Sequence, residues 1–198
     1  MTSDDSTDQS QRATPDATRG DADLTPGHHI EVIYPPAEIG ARIDELAGAI
    51  VREDLDQLLV VAVLKGSFIF AADLIRALHH RGLAPQVEFI TLSSYKENVR
   101  SSGQVEIRRD IETDVRGRNV LLIDDILETG RTLAFAKDLL IARGARRVQT
   151  CVLLEKPGKR AAEITADFRA FICPDVFVVG YGMDLAHHYR QLPFVGHI

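Results

Sequence analysis

A chain of 198 residues, 45% hydrophobic and 26% charged, has the balance of one folded globular domain, and no apolar run in it is long enough to span a membrane. Its net charge of −6 is uneven: residues 1–28 hold six Asp and two Arg, the remainder is nearly neutral, and a general electrostatic affinity for nucleic acid is not indicated. Cys151 and Cys173 lack metal-ligand spacing and read as buried free thiols in a reducing compartment; with no signal-peptide core at the N-terminus, the expected location is cytoplasmic.

Residues 1–28 are polar, acidic and poor in large apolar side chains, so they are expected to stay disordered as a solvated tail, with the folded domain spanning 29–198. Ile30 to Tyr34 alternates as a short strand and Pro35-Pro36 breaks it. Ile39, Ile43, Leu46, Ala47, Ile50 and Val51 then recur at helical spacing, which predicts an amphipathic helix over 37–52. Leu58 to Leu64 is a continuous apolar run, the pattern of a central strand buried on both faces. It enters Lys65-Gly66-Ser67, with Ser67 as the expected N-cap of a helix marked by Phe68, Ala71, Ala72, Ile75 and Leu78 and closed at Gly82. Val87 to Leu92 predicts the next strand, which leads to Ser93-Ser94-Tyr95. A polar excursion over 96–104 follows before alternation resumes at Val105-Glu106-Ile107, the pattern of a long hairpin loop.

Val120-Leu121-Leu122-Ile123 ends in the carboxylate pair Asp124-Asp125. Ile126-Leu127-Glu128-Thr129-Gly130-Arg131-Thr132 follows, and a helix-like run closes at Gly144. A strand, a polar loop and a helix with free first amides form a site suited to an anion. Gly130 lets backbone approach a phosphate, and Thr129 and Thr132 add hydroxyl donors. The acids suit ribose-type hydroxyls or a hard cation such as magnesium. Arg147 to Leu154 is a further apolar strand, followed by Glu155-Lys156-Pro157-Gly158. The strand–helix alternation predicts an α/β fold with a doubly wound, mainly parallel sheet. Ligands of such sheets sit beyond the carboxyl ends of strands, where Lys65, Asp124, Asp125 and Lys156 all fall. Phe168–Ile172 and Phe177–Gly182 are strand-like but too short for another βα unit, so residues 156–198 are read mainly as a small hood over the strand ends.

The stretch from Val120 to Thr132 closely resembles the phosphoribosyl diphosphate (PRPP) signature of type I phosphoribosyltransferases. The resemblance implies that Asp124 and Asp125 bind ribose hydroxyls and magnesium while the loop from Glu128 through Thr129, Gly130, Arg131 and Thr132 wraps the 5′-phosphate. It further implies that Lys65-Gly66 contacts diphosphate and that Ser94-Tyr95 opens a flexible loop closing over the reacting centre. Phe177-Val178-Val179-Gly180-Tyr181, then Asp184 and Arg190, resembles the C-terminal signature of the hypoxanthine-guanine branch. There the matching residues imply that Phe177 stacks on a purine, Val178 offers backbone groups, Asp184 binds magnesium, Arg190 contacts diphosphate and Lys156 reaches the exocyclic O6. An aromatic face suits a flat base, and a lysine donates to a carbonyl but not to an amino group, which disfavours adenine.

The expectation is therefore a magnesium-dependent enzyme of purine salvage that moves the phosphoribosyl group of PRPP to N9 of a 6-oxopurine, with Glu128 as the base near N7. Its implied partners are those two substrates, with no nucleic acid or membrane, in a homodimer or homotetramer. Two departures stand out: Glu128 replaces the family's usual aspartate, and Asp124 stands where this branch usually has glutamate. A PRPP-sensing regulator without catalysis is the alternative class, and Lys156, Phe177 and Asp184 weigh against it. The pairs His28-His29, His79-His80 and His187-His188 do not make metal sites, because sequence neighbours point apart; only the last is placed to line a pocket.

Overall fold

The computed structural model describes residues 29–94 and 105–198. Among these residues nine strands and three α-helices follow in the order β1 (Glu31–Tyr34), α1 (Pro36–Val51), β2 (Leu59–Leu64), α2 (Phe68–His80), β3 (Gln86–Ser94), β4 (Val105–Arg109), β5 (Asn119–Leu127), α3 (Arg131–Ala142), β6 (Arg147–Glu155), β7 (Phe168–Ile172), β8 (Val178–Val179) and β9 (Val195–His197).

Six strands form one sheet in the order β4-β3-β2-β5-β6-β7, with every pairing parallel except β3 with β4. Because both faces are covered, the residues of one strand serve two cores in alternation. Val60 and Ala62 of β2 join α1 and α2 through Ile43, Ala47, Phe70 and Leu74. Leu59, Val61 and Val63 join α3 on the other face through Leu133, Ala136 and Leu140. This is why the run reads as continuously apolar instead of alternating. The doubly wound, mainly parallel sheet is as expected from the strand–helix alternation.

The chain winds outward from β2 to β3 on one side and from β5 to β6 on the other, so the order reverses between β2 and β5. Their pairing stops at Ala62↔Ile123, whereas β5 stays paired to β6 through Leu127↔Glu155. The crevice therefore opens directly beside Asp124 and Asp125, at the switch point where open α/β sheets take ligands. The acids lie inside β5 and not after it, since β6 keeps hydrogen-bonding past them.

A second, antiparallel sheet of β1, β9 and β8 makes the hood. Its first strand comes from the N-terminal side of the chain: Val32 pairs with Gly196, and Val179 pairs with the same glycine from the other side. Tyr34 ties β1 to the main sheet, donating its hydroxyl to the Ile172 carbonyl at 3.0 Å and stacking on Phe171 with ring centroids 4.1 Å apart. Only Val178–Val179 of the Phe177–Gly182 run is strand, because Gly180, Tyr181 and Gly182 all take positive φ and turn the chain. The strand β9 had no counterpart among the sequence expectations.

Ser67 holds the N-cap position of α2 without capping it. Its hydroxyl is buried and donates back to the Val63 carbonyl at 2.6 Å, tying the turn to β2. Among the described residues no helix is long and apolar enough to cross a membrane, and Cys151 and Cys173 are buried free thiols.

Candidate active site

A cleft of about 760 Å³ lies over the carboxyl ends of β2, β5 and β6, under the hood. Lys65, Gly66, Asp124, Asp125, Glu128, Thr129, Gly130, Thr132, Lys156, Phe177, Val178, Asp184 and Arg190 all line it. Residues brought from four separate stretches of sequence thus share one wall-to-wall space. Arg131 does not line it: as the first residue of α3 its side chain is exposed, so only its backbone belongs to the loop. Ser94 ends β3, while Tyr95 and the loop to residue 104 lie outside the described residues, as do residues 1–28. His187 lines the cleft and His188 does not.

The floor is the turn from Leu64 to Ser67 packed against the acid pair. The Leu64–Lys65 peptide is cis. At Gly66 an added Cβ would sit 1.7 Å from Asp125 Oδ2, so the carboxylate occupies the space any side chain would need. From the hood, Gly182 (φ +99) lies over the same turn, and a Cβ there would meet the Gly66 carbonyl oxygen at 2.2 Å. The hood loop meets the floor turn backbone to backbone, and that turn lies against the Asp125 carboxylate, close approaches that only glycine permits.

Asp124 is buried, and its Oδ1 accepts the Asp125 amide at 3.0 Å; Asp125 Oδ1 accepts the Ile126 amide at 2.9 Å. Burial first, and the neighbouring Asp125 charge second, hold the Asp124 carboxyl well above the usual carboxylate range. Burial also pushes Asp125 up, opposed by its bonds to Asp124 and backbone amides and by the nearby Arg190. Asp124 is buried and Asp125 partly so, and with both values raised the pair is short of positive charge.

Because folding raises the Asp124 value, the folded chain holds that proton more tightly than the unfolded chain. The associated stability is present in acid and is lost as pH rises through the raised value. Asp124→Asn keeps the acceptor for the Asp125 amide and removes the charge. Its expected result is a higher thermal midpoint than the unmodified chain in metal-free buffer at neutral pH. The gain should vanish at pH below the ordinary carboxylate range, as read by thermal unfolding at both pH values.

Opposite the floor, Arg190 pairs with Asp184 at 2.6 Å and donates to the Gly182 carbonyl at 2.6 Å, while Asp184 Oδ2 accepts the His187 amide at 2.8 Å. The hood loop thereby holds its own acid and cation in place. The loop after β5 is braced from behind. The amides of Ala161 and Ala162 donate to the Thr129 carbonyl, and Arg160 donates to the Glu128 carbonyl at 3.1 Å while pairing with Glu155 at 2.8 Å. Gly130 takes φ +80 ahead of α3 and packs on Ile164, where a Cβ would come within 2.6 Å. An α-helix leaves its first amides without intrahelical partners, and those of α3 begin here.

Lys156 is 7% exposed and donates Nζ to the Val176 carbonyl at 2.7 Å, whereas Phe177 is 54% exposed in the cleft wall. A lysine with further donors and an uncovered aromatic face in one cleft have the chemistry to suit a flat, carbonyl-bearing ring. Lys159, Asp175 and Val176 also line the cleft and were not singled out from sequence. The available signal was that Lys159 falls three residues after Lys156, across the 3-10 turn Pro157–Lys159.

A family model described as "Phosphoribosyl transferase domain" matches residues 29–186. The chain is similar to the hypoxanthine phosphoribosyltransferase of Salmonella typhimurium, 40% identical over 174 residues covering 86% of this chain and 96% of the relative. It is 42% identical over 171 residues to the hypoxanthine-guanine phosphoribosyltransferase of Bacillus subtilis, covering 85% of this chain and 93% of that one. Among solved structures, a hypoxanthine phosphoribosyltransferase from Staphylococcus aureus superposes with a TM-score of 0.79 at 36% identity, over 85% of this chain and 90% of the other. The chain belongs to the phosphoribosyltransferase family, in its hypoxanthine and hypoxanthine-guanine branch.

Proposed function

We propose that this cleft transfers the phosphoribosyl group of PRPP to N9 of hypoxanthine or guanine, a purine-salvage reaction yielding the nucleotide and diphosphate. One observation carries the reading: the phosphate-type loop, the acid pair and the lysine–aromatic pair open into a single cleft. Each half alone would suit a binding module; together they suit a transferase joining a sugar phosphate to a base.

In this reading the 5′-phosphate sits against Thr129, Gly130, Thr132 and the first amides of α3, where the helix dipole favours an anion. Asp124 and Asp125 accept from the ribose hydroxyls, and Lys65, Gly66 and Arg190 face the diphosphate. Lys156 donates to the purine O6, Phe177 covers the ring, and Val178 offers backbone groups to its edge. As the ribose C1′–O bond to diphosphate breaks, negative charge grows on the leaving group and Lys65 and Arg190 stabilise it. N9 forms the new bond to C1′, and Glu128 takes the proton from N7.

The family works with a metal ion, and magnesium is the ion proposed here. The donors fit: Asp124, Asp125 and Asp184 are all oxygen ligands, and the burial of the acid pair leaves it short of positive charge. No group of three or more metal-binding side chains occurs among the described residues. The ion would therefore take one or two of these carboxylates and complete its shell with substrate oxygens and water. When bound, magnesium supplies positive charge to the departing diphosphate.

Substrate choice is tested with hypoxanthine, guanine and adenine offered singly to the unmodified chain and to Lys156→Met. The expected result is nucleotide from the 6-oxopurines only. Lys156→Met should lower kcat/KM for them about ten- to a hundredfold, the worth of one charged hydrogen bond. Equal turnover of adenine by the unmodified chain would contradict the assignment of Lys156.

A further inference from the structure

We propose that Lys159 is a positioning residue for Glu128, fastening the longer acid at the base position to the loop that carries the purine-stacking Phe177. The inference rests on the reading of Glu128 as the base. Lys159 ends the 3-10 turn Pro157–Lys159 and projects into the cleft between two carboxylates. Its Nζ lies 2.6 Å from Asp175 Oδ1 and 3.5 Å from Glu128 Oε1. Asp175 stands two residues before Phe177. From the other end of the same turn, Lys156 donates to the carbonyl of Val176. Two lysines three residues apart thus hold one short loop, and only Lys159 also reaches the phosphate loop.

Glutamate has one more rotatable bond than aspartate, so its carboxylate samples more rotamers and loses more freedom when fixed beside a reacting atom. A lysine already anchored by Asp175 restricts that freedom. It does so at the point where the base position and the purine wall must keep a fixed separation. Reaction rates are sensitive to such placement, because displacement of a catalytic group by about 1 Å can cost about a hundredfold. The brace is partly exposed, so a smaller effect is expected here, and the chain should fold without it.

The experiment is a double-mutant cycle on nucleotide formation from PRPP and hypoxanthine with magnesium. It compares the unmodified chain, Lys159→Met, Glu128→Asp and the double variant, with Lys159→Arg as the rescue. Lys159→Met should lower kcat about three- to tenfold with the KM for PRPP unchanged, and Lys159→Arg should restore most of it. In the Glu128→Asp background the carboxylate recedes from Nζ, so Lys159→Met should change kcat by less than about twofold. Equal losses in both backgrounds, or no loss in either, would overturn the inference while leaving the transferase reading intact. Absence of transfer by the unmodified chain would overturn the reading of the cleft and this inference with it.

Discussion

Glu128→Gln is expected to lower kcat for nucleotide formation by about 10²- to 10⁴-fold, the range for loss of a general base, with the KM for PRPP little changed. The substitution is nearly isosteric and leaves the loop's supports in place. The Glu128 carbonyl still accepts from Arg160, and the Thr129 carbonyl still accepts from Ala161 and Ala162. What it removes is the group proposed to take the proton, on a side chain that lines the cleft within 3.5 Å of Lys159. Steady-state kinetics separate the two quantities, since a loss confined to kcat marks an interaction made only in the transition state. Unchanged turnover would move the base to another group in the cleft.

Gly66→Ala is expected to lower kcat/KM for PRPP by about a hundredfold, the scale of an ångström-sized displacement of reacting groups. The added methyl would land 1.7 Å from Asp125 Oδ2 and 2.6 Å from its Cγ, so either the carboxylate or the turn must move. The turn has little room. The Gly66 carbonyl already packs under Gly182, and Ser67 is held to Val63 by a buried hydroxyl bond. The carboxylate is the part that yields, and it is half of the pair proposed to hold ribose hydroxyls and the metal ion. Titration of activity against magnesium should show a weaker apparent affinity in the variant. Kinetics equal to those of the unmodified chain would show that the close approach has no functional weight.

The parts of the fold legible in sequence were those written in local pattern. The apolar run Leu58–Leu64 and the Val120–Ile123 run marked strands with two covered faces, and β2 and β5 are those strands. The acid pair was legible by type but not by place. It sits within β5, because pairing with β6 continues after pairing with β2 has ended. The hood illustrates the opposite case. Val32, Val179 and Gly196 meet across nearly the whole chain, and nothing local in Phe194-Val195-Gly196-His197 announces a strand.

In the cleft, lining residues that belong to contiguous motifs could be named from sequence, whereas those that only touch such residues could not. Lys159 and Asp175 flank the named residues, and although Lys159 falls three residues after Lys156, their pairing shows only in the 2.6 Å contact. Arg131 shows the converse: its place in the motif is regular, yet the helix that begins with it turns the side chain outward. Ser67 is a third case, since a cap position predicts a hydroxyl serving α2 and the buried hydroxyl serves β2.

The most direct measurement is the stoichiometry of products from PRPP, magnesium and hypoxanthine or guanine with the unmodified chain. Equal amounts of purine nucleotide and diphosphate, formed with 6-oxopurines and not with adenine, are the predicted result. Binding of PRPP without nucleotide from any purine would contradict the account and leave a regulator that senses PRPP.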